Sequence, residues 1–194
     1  MKKWGVATIG CAALGVIGLI AIVAGLWAMS AYNGLVATNE SIDGAWAQVE
    51  NVLQRRADLI PNLVETVKGY AAHEKEIFDE VAQARSRLMG AAGSPAEAAR
   101  ANAGLGSALS RLLAIAENYP DLKANQNFIR LQDELAGSEN RIANERRKYN
   151  EMVLSYNTTL KRFPTNFLGR SFGFEERDYF EAEESAREVP KVEF

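Results

Sequence analysis

The chain divides by pattern into an unbroken apolar run and a longer stretch in which apolar residues recur three and four apart. Between Lys3 and Glu40 no residue is charged, and Val6 to Met29 is almost wholly apolar. At helical rise this stretch reaches about 36 Å, enough to span a hydrocarbon core of about 30 Å with some tilt. Trp4 lies near one end and Trp27 and Tyr32 near the other, where amphipathic rings settle at headgroup depth. The pattern therefore predicts a transmembrane helix, with residues 4–31 in the lipid bilayer. A cleaved signal peptide is the rival, with Ala28-Met29-Ser30 as its cleavage site, but its apolar core would exceed the usual length of about 7–15 residues. Lys2 and Lys3 on one side, against Glu40 and Asp43 on the other, put the N-terminus in the cytoplasm and the remainder outside. Ala7, Cys11 and Gly15, like Ala21 and Gly25, are four apart, a spacing that allows close helix approach and is also common in any such helix.

Beyond the apolar run, Ile42, Trp46, Val49, Leu53, Ile60, Leu63 and Val67 form one stripe, interrupted by Arg56. The spacing resumes at Ile77, Val81, Ala84 and Leu88, the periodicity of packed bundle helices. Lys68-Gly69 followed by Glu74 and Glu76 reads as a helix stop and restart. A third helix opens at Ser94-Pro95-Ala96-Glu97 with a capping serine, a first-turn proline and a reciprocal glutamate. Its stripe is Leu105, Leu109, Leu112 and Ala116, and Tyr119-Pro120-Asp121 ends it. The fourth carries Phe128, Leu135, Ile142, Tyr149, Tyr156 and Phe163 at heptad spacing, with Leu131 and Met152 between, and Pro164 stops it. Pro61 falls inside the first helix and predicts a kink there.

One unbroken helix over residues 42–88 would leave the fourth helix partly uncovered. A turn at Gly69–His73 covers every stripe. The expected fold is all-α: a transmembrane helix over residues 1–33, then an antiparallel up-and-down four-helix bundle over 34–164. In it the first and fourth helices are long and the second and third short. Residues 165–194 form an aromatic segment and an acidic tail. In this topology Phe167, Leu168, Phe172 and Phe174 either contact the membrane or cap the bundle's near end. The last twenty residues hold eight acidic and three basic side chains, which predicts a solvated tail; Val189, Val192 and Phe194 allow an extended docking segment instead.

Composition narrows the chemistry. A net charge of −3 without a basic stripe argues against nucleic acid as a partner. One cysteine, Cys11, and one histidine, His73, leave little for disulfide, metal or acid–base work. His73-Glu74 lacks the second histidine of a zinc-protease motif, no glycine-rich phosphate loop or nucleophile elbow occurs, and Glu139, Glu145 and Glu151 lack the Glu-x-x-His pairs of a diiron site. No catalytic residue, cofactor or metal is expected. The polar residues at core positions are Arg56 and Glu145. If Ile42 faces Phe163, Arg56 falls near Tyr149 and one turn from Glu145, giving an Arg56–Glu145–Tyr149 layer. Such a layer fixes register or, less plainly, holds a ligand between helices.

Several longer motifs run through this frame: Ala45-Trp46-Ala47-Gln48-Val49-Glu50, Gln54-Arg55-Arg56-Ala57-Asp58-Leu59-Ile60-Pro61-Asn62-Leu63-Val64 and Gly69-Tyr70-Ala71-Ala72-His73-Glu74. Tyr119-Pro120-Asp121-Leu122-Lys123-Ala124-Asn125, Glu139-Asn140-Arg141-Ile142-Ala143 and the Tyr-Asn pairs at 149–150 and 156–157 continue the series. Together they resemble the LemA family over about Tyr32 to Phe180. The resemblance implies a bacterial single-pass membrane protein, here of the inner membrane, with a soluble up-and-down four-helix domain and no enzymatic activity attached. One branch of that family is associated with magnetosome membranes, which implies membrane organisation. The expected function is a non-enzymatic scaffold or adaptor that forms a homo-oligomer or binds another membrane protein, with Arg55, Asp58 and Asn62 as an interaction surface. The alternative is a sensor holding a small molecule between its helices.

Overall fold

The computed structural model describes residues 3–181, with side chains from Leu14 onward. Those residues form six helices and no strand: α1 (Lys3–Lys68), α2 (Lys75–Gly90), α3 (Pro95–Ala116), α4 (Pro120–Lys123), α5 (Gln126–Lys161) and α6 (Thr165–Phe172). α1 and α5 are the long helices, at 66 and 36 residues, against 16 for α2 and 22 for α3. The apolar run and the first amphipathic stripe belong to one helix, α1, without a break between them. Two helices go beyond the expectation, the single turn of α4 after Tyr119 and α6 in the aromatic segment.

Helix ends follow local chemistry. Ser94 Oγ accepts from the Glu97 amide at 3.4 Å, with Pro95 at the first turn where its missing N–H costs nothing. Asn125 Oδ1 accepts from the amides of Asn127 and Phe128, capping α5. α6 ends on Gly173 at φ +75°, and the Phe174 amide returns to the Gly169 carbonyl at 2.9 Å.

The described residues gather into two compact units. The larger contains Ile42–Val153 and the residues from Asp178. Ile42, Val49, Leu53, Ile60, Leu63 and Val67 of α1 are buried there with Ile77, Val81 and Leu88 of α2, Leu105, Leu109 and Leu112 of α3, and Phe128, Leu135, Ile142 and Tyr149 of α5. α2 packs against α3. α1 and α5 run antiparallel: Trp46 stacks at an angle on Tyr149, and Arg56 pairs with Glu139, ten residues on along α1 and ten back along α5. The heptad expected of α5 slips once, since Met152 is exposed and Val153 is buried in its place. A four-residue step there keeps the stripe on the inner face as the straight helix drifts.

Pro61 lies within α1, where its ring nitrogen cannot donate to the carbonyl of Ala57. That carbonyl is instead taken by Arg85 Nε of α2 at 2.8 Å, and the Arg85 guanidinium lies 3.9 Å from Asp58. The backbone acceptor freed by proline thus becomes a link between two helices.

The smaller unit contains α1 up to Ser41 and Leu154–Arg177. Every residue from Leu14 to Trp27 is exposed, and the first well-buried side chain among those described in α1 is Leu35. Gly169 of α6 lies so close to Leu160 of α5 that a Cβ at this position would collide with it.

Candidate functional site

The buried polar centre of the larger unit is Arg56, only 6% exposed. The 3.6-residue period places it on the inward stripe of α1, where its long stem packs while its guanidinium needs partners. Nη1 pairs with Glu139 of α5 at 2.5 Å and donates to Asn102 Oδ1 of α3 at 2.7 Å. Burial pulls the pKa of Arg56 below its ordinary value, and Glu139 acts in the opposite sense. One cation thereby ties three helices together.

The expected Arg56–Glu145–Tyr149 layer does not assemble. Glu145 pairs with Lys148 one turn away at 2.8 Å, and the Tyr149 hydroxyl donates to the Asp178 carbonyl at 2.8 Å. The expected register depends on Ile42 facing Phe163. Phe163 lies beyond the end of α5 and is 78% exposed, so it anchors no such pairing. With Trp46 set on Tyr149, the residue facing Arg56 is Glu139. No signal in the periodicity marks Asn102, which looks like any polar residue in an alanine-rich helix.

The two Tyr-Asn pairs of α5 hold the extended segment that follows α6. Asn150 donates through Nδ2 to the Phe180 carbonyl at 3.0 Å and accepts from the Phe180 amide at 2.9 Å. Asn157 does the same with Arg177, at 2.9 Å in each direction. Seven helical residues rise about 10.5 Å and three extended residues about 10 Å, so one carboxamide-to-peptide pairing recurs at both positions. Phe180 is buried and lies near Trp46, with ring centres 6.1 Å apart. The start of the acidic end is therefore docked backbone rather than a solvated tail. Val189, Val192 and Phe194, the alternative docking segment, lie outside the described residues.

The remaining motifs are also spent on joints. Glu50 Oε1 accepts from the Gly93 amide in the α2–α3 turn at 2.9 Å. Asn125 Nδ2 donates to the Tyr70 hydroxyl at 2.9 Å, and the Tyr119 hydroxyl donates to Glu74 at 3.4 Å, so the loop after α1 and the link after α3 clasp each other. Of the expected interaction surface, Arg55 and Asn62 are exposed on α1, while Asp58 also accepts from Gln54 at 2.9 Å besides facing Arg85. In the smaller unit the rings of Phe172 and Phe174 meet Tyr32 edge-on at 5.0 and 5.7 Å. Phe167 is 62% exposed and Leu168 half-buried.

An open groove of about 550 Å³ runs between α2 and α3 over small residues that include Ala84, Gly90, Ala101 and Gly104, with Arg87 and Arg100 on its walls. Arg56, Asn102 and Glu139 do not line it. Among the described residues no group of three or more His, Cys, Asp or Glu side chains could hold a metal ion.

These features define an all-helical protein with one long N-terminal helix, apolar enough to cross a membrane, and a core laced by polar joints. The LemA family model matches residues 45–194, and the chain belongs to the LemA family. It is similar to magnetosome protein MamQ of Magnetospirillum gryphiswaldense, 28% identical over 93% of this chain and 74% of that protein. Magnetosome protein MamQ 2 of Paramagnetospirillum magneticum is likewise 28% identical, over 92% of this chain and 74% of that protein. Protein LemA of Metamycoplasma hominis is 24% identical over 80% of this chain and 71% of its own length. None of these names is that of an enzyme.

Proposed function

We propose that this chain is a non-enzymatic, membrane-tethered scaffold or adaptor whose helical domain self-associates or binds another membrane protein and so helps organise the membrane. The observation that carries this reading is where the family's motif residues are used. Trp46, Glu50, Arg56, Pro61 through Ala57, Tyr70, Glu74, Asn125, Glu139, Asn150 and Asn157 all serve joints between segments.

The tether rests on α1. Leu14, Ile17, Leu19, Ile20, Ile22, Val23, Leu26 and Met29 are all about 60–70% exposed, as on a helix with nothing packed against it. Covering a large apolar side chain stabilises by about 1.5–3 kcal/mol each. For this run the total is of the order of a whole domain's stability of about 5–15 kcal/mol, so a bilayer is the natural cover. In this reading α1, α2, α3 and α5 form an up-and-down four-helix bundle outside a bacterial inner membrane. The N-terminus is cytoplasmic, and Arg55 and Asn62 are available to a partner. The relatives named as magnetosome proteins support a role in organising membrane. Crosslinking in native membranes followed by affinity purification is the test. Recovery of a homo-oligomer or one reproducible membrane partner is expected; recovery of monomer alone contradicts the scaffold.

A small-molecule sensor is the second reading, and the α2–α3 groove favours it. Saturable binding of a metabolite abolished by Gly104→Leu would bring it forward.

A further inference from the structure

We propose that α6 with the preceding Phe163 is an interfacial anchor: a second membrane contact, lying in the lipid headgroup layer beside the point where α1 leaves the bilayer. The proposal rests on the reading of α1 as a membrane span. Its source is an aromatic junction. Tyr32 stands three residues past Met29, at the end of the apolar run, where an amphipathic ring marks the headgroup layer. The rings of Phe172 and Phe174 are held edge-on against Tyr32 at 5.0 and 5.7 Å, which sets α6 at that same depth. Phe167 is five residues back along α6, about 7.5 Å. An interfacial layer about 5–7 Å deep on each side holds both rings when α6 lies along the membrane surface rather than upright.

Capping the helical domain is the competing role for these rings, and exposure argues against it. Phe163, Phe167 and Phe172 are 78%, 62% and 60% exposed, and Phe163 and Phe167 touch each other edge-on at 6.0 Å on the open side. The only buried residue of α6 is Gly169, whose missing side chain lets the helix lie against Leu160. Thus α6 turns its backbone to α5 and its rings outward. Arg162 and Arg170 are exposed beside these rings, the arrangement of a short helix that sits among anionic headgroups. Gly173 and the Phe174 amide then end the helix so that the following chain turns away.

The test uses the full-length chain with Cys11→Ser, one copy per lipid nanodisc. An environment-sensitive fluorophore is placed at Phe167→Cys, Leu19→Cys or Asn62→Cys, and the lipids are brominated either near the headgroup or deep in the chain. The label at 167 is expected to shift blue and lose most of its emission to shallow bromines. The label at 19 should respond to deep bromines, and the label at 62, about 45 Å beyond Tyr32 along α1, to neither. A quenched label at 19 with an unquenched label at 167 overturns the interfacial anchor and leaves the span standing. An unquenched label at 19 overturns both. A label at 167 that shifts blue only when two copies share a disc, without bromine quenching, assigns those rings to a second copy and overturns the proposal. Adding anionic lipid should increase quenching at 167, and Arg162→Gln with Arg170→Gln should remove that increase; a persisting increase contradicts the role given to the two arginines.

Discussion

Arg56 shows how one misplaced charge organises a core. A buried guanidinium is costly unless its hydrogen-bond donors are used; Glu139 and Asn102 serve Nη1 from two other helices, while the buried Nε has no partner among the described residues. Glu139 is half-exposed, which weakens the pair relative to a fully enclosed one, so a coupling of about 1–3 kcal/mol is expected. Double-mutant cycles in chemical denaturation should find that coupling between Arg56→Met and Glu139→Leu. The cycle with Glu145→Leu should be additive within about 0.5 kcal/mol, and the reverse pattern would contradict the register. Tyr149 offers a second handle. Burial first, and the Asp178 carboxylate second, push its pKa up to about 12 from an ordinary 10.0. The folded protein therefore holds a proton that the unfolded chain releases near pH 10, so this contribution is intact below that pH and lost as pH climbs toward 12. Tyr149→Phe should flatten the fall of unfolding free energy over that interval; an unchanged slope would remove the assignment.

At the scale of elements, the proline in α1 is informative because its cost is met from outside the helix. Arg85→Met leaves the Ala57 carbonyl without its donor and should destabilise by about 1–3 kcal/mol. In a Pro61→Ala background the backbone amide restored at that position can reach the carbonyl, and the same Arg85 change should cost clearly less. Equal costs in both backgrounds, measured by urea unfolding, would mean that Arg85 does not serve the freed acceptor. Such joints were only partly legible in the chain. Periodicity and caps gave the limits of α2 and α3 and the break after Lys68 because those signals are local. They gave the wrong partner for Arg56 because register between distant helices depends on which pair seats first, and Phe163 looked like one more heptad residue. Asn150 and Asn157 stood in plain view as repeated Tyr-Asn pairs. Their role was hidden because the backbone they hold has no side-chain pattern of its own, and an acidic composition suggested solvent.

At the scale of the whole molecule, two solutions meet one problem, the covering of apolar surface. Stripes 42–67, 77–88, 105–116 and 128–149 are covered by one another within the protein. The run Leu14–Trp27 is left exposed by the described residues. The family relationship and the motif residues account for the first, and the proposed bilayer for the second. Washing native membranes with alkaline carbonate tests that division most directly, because it strips proteins held by charge or by contact with others while leaving those whose helices cross the lipid. The intact polypeptide should remain in the membrane pellet; its release into the supernatant would contradict the tether and, with it, the scaffold built on it.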